Sequence, residues 1–205
     1  MPLLNRWNED GGIFGIWQIM ETPEELRHLL IAFFPYDEEL DKYKAPSRKL
    51  EYLGVRVLLK SLIGEEKLIG HSLSGKPFLV DGSYRISISH TRGYVALALH
   101  PEREVGIDIE QVSDRVRKVS DRFIRTDENA PDTLNMLLHW SAKETMYKMM
   151  EVEEVDFKEH LQILPYDLSD EGRFFGNEFR TGRRLHFEIR YFVHPDFVCT
   201  WCIGH

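Results

Sequence analysis

The chain has almost no cysteine: Cys199 and Cys202 are the two in 205 residues. That excludes a disulfide scaffold, and one C-x-x-C pair without a second is at most half of a structural zinc site or a redox pair. Within the alternating apolar run 197–203 both are read as buried strand residues. Long apolar runs are also missing. Nothing approaches the roughly 20 residues of a bilayer span. The start, Met1-Pro2-Leu3-Leu4-Asn5-Arg6, lacks the apolar stretch of a signal peptide. A cytoplasmic protein without membrane contact is expected. Basic charge is in deficit, with 26 Lys and Arg against 34 Asp and Glu, a net charge of −8. Nucleic-acid binding draws on a surplus of Lys and Arg, so no nucleic-acid partner is expected. The lack of a Walker-type Gly-rich loop speaks against the commonest nucleotide hydrolases.

What is present is ample core material, 42% apolar and 12% aromatic residues, enough for one domain or two small ones. Apolar periodicity predicts strands over 13–19, 85–89, 94–100, 104–109, 161–164, 173–179, 185–193 and 197–203. Thr22-Pro23-Glu24-Glu25 is a helix-start signal, and its helix is expected to reach about residue 33. Residues 35–46 read as loop. Ser47 is expected to cap a second helix to residue 63, with Lys49, Arg56 and Lys60 off its apolar stripe. The basic segment 114–125 is read as helical. A last helix is expected over 131–150, with Leu138, Ala142, Thr145 and Met149 facing the core and Glu144 at the edge of that face. Each half then carries helices and a few antiparallel strands, 1–111 and 112–205.

Two segments carry chemistry. Ile107-Asp108-Ile109-Glu110 places two carboxylates two residues apart, hence on one face of a strand. Trp140-Ser141-Ala142-Lys143-Glu144-Thr145-Met146-Tyr147-Lys148 places Glu144 and Lys148 four apart, hence on one face of a helix. Carboxylates gathered in a partly buried place repel by about 4 kcal/mol per close pair at intermediate dielectric, so they need a cation. All-oxygen ligands suit a hard ion such as Mg²⁺, which keeps open positions for phosphate oxygens. Taken singly, each motif has an ordinary reading: a solvated strand edge, a surface ion pair, a turn.

In order along the chain come Arg48, Gly75-Lys76-Pro77, Ile88-Ser89-His90-Thr91, Val105-Gly106-Ile107-Asp108-Ile109-Glu110, Arg122-Phe123 and Trp140-Ser141-Ala142-Lys143-Glu144 with Lys148. This series resembles the 4′-phosphopantetheinyl transferase superfamily in its larger, monomeric form. The resemblance implies an α+β fold of two similar α/β subdomains, each a small antiparallel sheet packed with helices, related by a pseudo-twofold, with coenzyme A in the cleft between them. It implies Mg²⁺-dependent transfer of the phosphopantetheine arm of coenzyme A to a serine of an acyl or peptidyl carrier protein, with release of adenosine 3′,5′-bisphosphate. Asp108, Glu110 and Glu144 would hold the metal. Glu144 would be the base, assisted by Lys148 at the leaving phosphate, and Lys143 would contact the pyrophosphate. Arg48 and His90 would bind the 3′-phosphate, with Lys76 and Ser89 near the adenosine.

Arg115, Arg117, Lys118, Arg122 and Arg125 form the densest basic stretch and a candidate docking surface for an acidic carrier. Trp140 is read as packing. The segment Met149-Met150-Glu151-Val152-Glu153-Glu154 lacks the glycines that often follow the final lysine of the family motif. A non-catalytic relative that binds a carrier or a nucleotide is the alternative reading. Fatty-acid, polyketide, peptide-synthesis and siderophore carriers are all compatible with the sequence.

Overall fold

β-branched and aromatic runs broken by short turns build two antiparallel sheets, and each sheet takes one long helix on its face. The computed structural model describes residues 3–31, 34–150, 152 and 154–204. The chain divides into two compact units, Met1–Glu102 and Arg103–His205.

In the first unit, β1 (Leu3–Glu9) and β2 (Gly12–Gln18) form a hairpin through Asp10 and Gly11, both at positive φ. β1 is an addition to the sequence expectation, because its exposed alternation resembles loop composition. The helix expected to reach residue 33 is shorter. α1 (Pro23–His28) starts at the expected signal, where Thr22 and Glu25 prove to form a capping box, and stops at His28. Positions 32 and 33 lie outside the described residues. The expected loop 35–46 contains a short helix, α2 (Tyr36–Leu40).

α3 (Pro46–Ile63) follows, and here Ser47 is not the cap. Ala45 occupies the cap position without a side-chain bond, and Pro46 opens the first turn with its preset φ. Gly64 in the left-handed conformation ends the helix. Arg56 is not on a solvent face either. It is 9% exposed, with its guanidinium 3.3 Å from the centroid of the Tyr52 ring.

β3 (Ile69–His71) and β4 (Pro77–Leu79) form a small separate hairpin. β5 (Arg85–Thr91) and β6 (Tyr94–His100) complete the main sheet in the order β1-β2-β6-β5. α3 lies on this sheet. Leu53, Leu58, Leu59 and Leu62 are buried in the same cluster as Val95, Leu97 and Leu99. Each such side chain contributes about 1.5–3 kcal/mol by leaving water.

The second unit begins with β7 (Val105–Gln111), which pairs with the last strand, β11 (Phe197–Ile203). β7 thus belongs to the second unit rather than ending the first half. The basic segment is not one helix but two 3-10 turns, Asp114–Lys118 and Ser120–Arg122. Asp132 caps α4 (Thr133–Met149) by accepting from the Asn135 N–H, and Pro131 lies just outside. α5 (Phe157–His160), β8 (Leu161–Ile163), β9 (Glu171–Glu178) and β10 (His186–Val193) complete a sheet ordered β7-β11-β10-β9-β8.

α4 packs on β7 and β11. Gly106 decides how closely. A Cβ there would lie 2.6 Å from the Thr145 carbonyl oxygen, so only glycine lets the helix backbone approach the strand. Cys199 and Cys202 are free and buried in β11, as read from the sequence. Three residues apart on a strand, they point to opposite faces. Burial pushes the Cys202 thiol up to about 12 and the Cys199 thiol well above its ordinary value, so neither is a thiolate near neutrality. Among the described residues no helix is long and apolar enough to cross a membrane.

Candidate active site

Strand alternation puts Gly106, Asp108 and Glu110 on one face of β7, and the contact at Gly106 identifies that face as the one beneath α4. On the helix, Trp140, Glu144 and Lys148 recur every four residues and form one stripe. All three are half-buried or more exposed than their neighbours Ser141, Ala142 and Thr145, which are fully buried. The stripe therefore runs along the edge of the buried face, as expected for Glu144.

The two rows meet. Lys148 Nζ donates to Asp108 Oδ1 at 2.7 Å and to the Ile107 carbonyl at 3.0 Å. Trp140 Nε1 donates to Glu110 Oε1 at 2.7 Å. Glu144 stands between Trp140 and Lys148 on the stripe. Burial, followed by the Asp108 charge, pushes the Glu144 carboxyl up to about 7. The Glu110 carboxyl also rises to about 7, through burial and Asp108, against the opposing pull of the Trp140 hydrogen bond. Three carboxylates thus share one ammonium, and their residual repulsion is the electrostatic condition that a hard divalent cation relieves.

These oxygens fit Mg²⁺ by donor type. Among the described residues they do not form a closed cage: no group of three or more His, Cys, Asp or Glu is gathered tightly enough to hold a metal by itself. Mg²⁺ is commonly held by one or two carboxylates with substrate phosphates and waters completing its octahedron, so an open arrangement is compatible with it.

Buried hydroxyls fix the helix on the sheet. Thr200 lies opposite Asp108 in the β7–β11 register. Its Oγ1 is 2.7 Å from Thr145 Oγ1 and 2.9 Å from Ser141 Oγ. Sequence reasoning missed Thr200 and Ser141, and it missed the polar role of Trp140. The four-residue spacing from Trp140 to Glu144 to Lys148 was the available signal.

Lys143 is a correction. Its side chain is fully buried, and all three N–H donors are engaged, by Glu128 at 2.8 Å, Phe123 O at 2.6 Å and Phe157 O at 3.2 Å. Glu128 is equally buried, so the pair ties the 123–128 segment to α4. Breaking such a pair costs about 3–5 kcal/mol, because it strands a buried charge. Lys143 is placed for structure, not for a pyrophosphate.

In the first unit, α3 and β5 bring Arg48 and His90 together. Arg48 Nη1 lies 3.2 Å from His90 Nε2 and donates to Glu51 Oε2 at 2.9 Å, while His90 Nδ1 is 3.6 Å from the same carboxylate. Both basic residues are exposed. Ser89 is 7% exposed and alternates to the other face of β5, so it does not share the surface that carries His90. Lys76 stands on the β3–β4 hairpin, in a turn whose Gly75 has φ 85.

Of the basic docking stretch, Arg115, Lys118 and Arg122 are exposed. Arg125 is not part of that surface. Its guanidinium is held by Asp127 at 2.9 Å and by the Lys158 and Glu159 carbonyls at 3.0 Å. Arg117 bonds Thr133 at 2.8 Å.

The acid-bearing strand and the stripe-bearing helix both fall within residues 104–202, the segment that matches the family model described as the 4′-phosphopantetheinyl transferase superfamily. Over those residues, just under half of the chain, the sequence is similar to that superfamily. A curated relative, L-aminoadipate-semialdehyde dehydrogenase-phosphopantetheinyl transferase of Xenopus laevis, is 25% identical, with 47% of this chain and 42% of the relative aligned. The chain thus spans less than half the length of that relative.

Proposed function

We propose that the chain is a Mg²⁺-dependent 4′-phosphopantetheinyl transferase, which moves the phosphopantetheine arm of coenzyme A to a serine of an acyl or peptidyl carrier protein. The observation that carries this reading is the row of Asp108 and Glu110 on β7 facing the stripe of Trp140, Glu144 and Lys148 on α4. The superfamily match and the printed name of the Xenopus relative support the reaction class.

The reaction is a phosphoryl-type transfer, in which positioning and charge neutralisation do most of the work. Asp108, Glu110 and Glu144 are the carboxylates from which one or two would hold Mg²⁺ together with substrate phosphate and water, and the ion when bound would neutralise pyrophosphate oxygens. Glu144 accepts the proton of the carrier serine, and a carboxyl poised near 7 is well matched to that task. The serine oxygen forms a bond to the phosphorus that carries the arm, the pyrophosphate P–O bond breaks, and adenosine 3′,5′-bisphosphate leaves. Lys148 offsets charge on the leaving phosphate. Trp140 holds the Glu110 carboxylate in place through its indole N–H. Arg48 and His90 form an exposed basic pair suited to the 3′-phosphate. The exposed Arg115, Lys118 and Arg122 are the proposed docking surface for an acidic carrier.

Intact-mass spectrometry tests this reading on a panel of apo-carrier proteins with coenzyme A and Mg²⁺. A mass gain equal to the arm is expected, abolished by chelator and by Asp108→Ala. Saturable coenzyme A binding without a gain on any carrier overturns it in favour of a non-catalytic relative.

A further inference from the structure

α4 meets β11 in an apolar seam that holds one polar island. Val198 and Cys202 of the strand belong to the same buried apolar cluster as Leu138, Ala142 and Met146 of the helix. Thr200 stands between Val198 and Cys202 on their face of the strand. It is fully buried, as are Ser141 and Thr145, which lie one turn apart on α4.

The three hydroxyls form one directed chain. Thr145 Oγ1 donates to the Thr200 carbonyl at 3.3 Å. Each hydroxyl has a single proton, so Thr200 Oγ1 is left to donate to Thr145 Oγ1 at 2.7 Å, and Ser141 Oγ to donate to Thr200 Oγ1 at 2.9 Å. Every proton is used, and Thr200 is the member bonded to both others.

Register ties this island to the site. Thr200 pairs with Asp108 across the β7–β11 ladder. On the helix, Ser141 directly follows Trp140, and Thr145 directly follows Glu144. A slide of α4 by one residue, about 1.5 Å along its axis and about 100° around it, would bring the apolar Ala142 and Met146 toward Thr200 and leave its hydroxyl unsatisfied. Apolar contacts are non-directional and tolerate small slides. Hydrogen bonds do not, because they weaken steeply with angle.

We propose that Thr200 is a positioning residue: its hydroxyl sets the register of α4 on β7, and so where Trp140 and Glu144 stand over Glu110 and Asp108. In treating Glu144 as a group positioned for catalysis this rests on the transferase reading, but its first readout needs no coenzyme A, carrier or metal. That readout is the Trp140 indole N–H, which donates to Glu110 Oε1 at 2.7 Å between the same helix and β7.

The test follows this N–H in ¹H–¹⁵N spectra of the full chain, with the signal assigned through Trp140→Phe. Thr200→Val keeps the side-chain shape and removes the hydroxyl, and the indole proton should move upfield as its hydrogen bond lengthens. Thr200→Ser keeps the hydroxyl and should hold the wild-type position. Because Thr200→Val also strands the Ser141 hydroxyl, a combined variant, Ser141→Ala with Thr145→Val and Thr200→Val, separates stability from register by leaving no orphaned hydroxyl. It should fold and show the displaced signal. In the transferase assay its kcat should fall about 10²-fold, the scale of a misplacement of about 1 Å, with KM for coenzyme A unchanged.

A folded combined variant with the wild-type indole signal overturns the proposal, since the hydroxyls then only satisfy one another. Failure of that variant to fold assigns them to stability and overturns it too. A Thr200→Ser signal displaced as far as that of Thr200→Val assigns the effect to the methyl group and overturns it as well. A displaced signal in a chain whose wild type modifies no carrier supports the register role and removes the transferase reading alone.

Discussion

Lys148 Nζ lies 2.7 Å from Asp108 Oδ1, so the ammonium at the end of α4 is already held by the acid of β7 that is proposed to bind metal. Metal and lysine therefore compete for one carboxylate. Lys148→Met should bind Mg²⁺ more tightly by calorimetry and yet lose about 10²-fold or more in transferase rate, the scale of one electrostatic stabiliser. Weaker metal binding in this variant would instead mean that Lys148 organises the site.

The raised carboxyls set a pH dependence. Glu110 and Glu144 titrate near 7 in the folded chain, against an ordinary value of 4.5. Between those values the folded state holds more protons than the unfolded state. Their contribution to stability is therefore fully present below about 4.5 and lost as the pH rises through about 7. In metal-free protein the urea midpoint of Glu144→Gln should fall less steeply than that of the wild type over this window. Identical slopes would remove Glu144 from the raised pair.

Gly106 fixes the distance between strand and helix. Gly106→Ala places a methyl 2.6 Å from the Thr145 carbonyl oxygen, and backbone cannot yield cheaply there. A loss of about 1–3 kcal/mol in urea unfolding is expected, the usual cost of overpacking. The transferase rate should fall at temperatures where the variant remains folded, because Glu144 and Lys148 move with the helix. Wild-type stability would show that α4 shifts freely.

The exposed Arg48–His90 pair is open to a substrate test. If it holds the 3′-phosphate, the wild type should prefer coenzyme A to dephospho-coenzyme A by about tenfold or more, as for a charge-assisted contact. Arg48→Ala should lose most of that preference through KM, with kcat little changed. A preference that survives the substitution assigns the 3′-phosphate to other residues.

Local patterns settled much of this protein before any contact was known. Alternation placed Asp108 and Glu110 on one face of a strand, and the four-residue spacing placed Glu144 and Lys148 on one face of a helix. Both survive in the structure, because they follow from the geometry of a single element. The start of α1 was legible through a cap residue followed by a proline in Thr22-Pro23-Glu24-Glu25, while the start of α3 was misread because Ser47 has cap chemistry but Pro46 already sits in the first turn.

Tertiary structure decided the rest. Lys143 and Lys148 are both lysines of one motif, yet Lys143 turns to a buried Glu128 fifteen residues upstream and Lys148 turns to Asp108 on a distant strand. Ser89 and His90 are adjacent, yet only one is exposed. Trp140 became a hydrogen-bond donor because β7 brings Glu110 to it across thirty residues of chain. Spacing along one element fixes which way a side chain points. Which partner it meets is set by how separate elements pack, and that depends on the whole chain's burial of apolar surface.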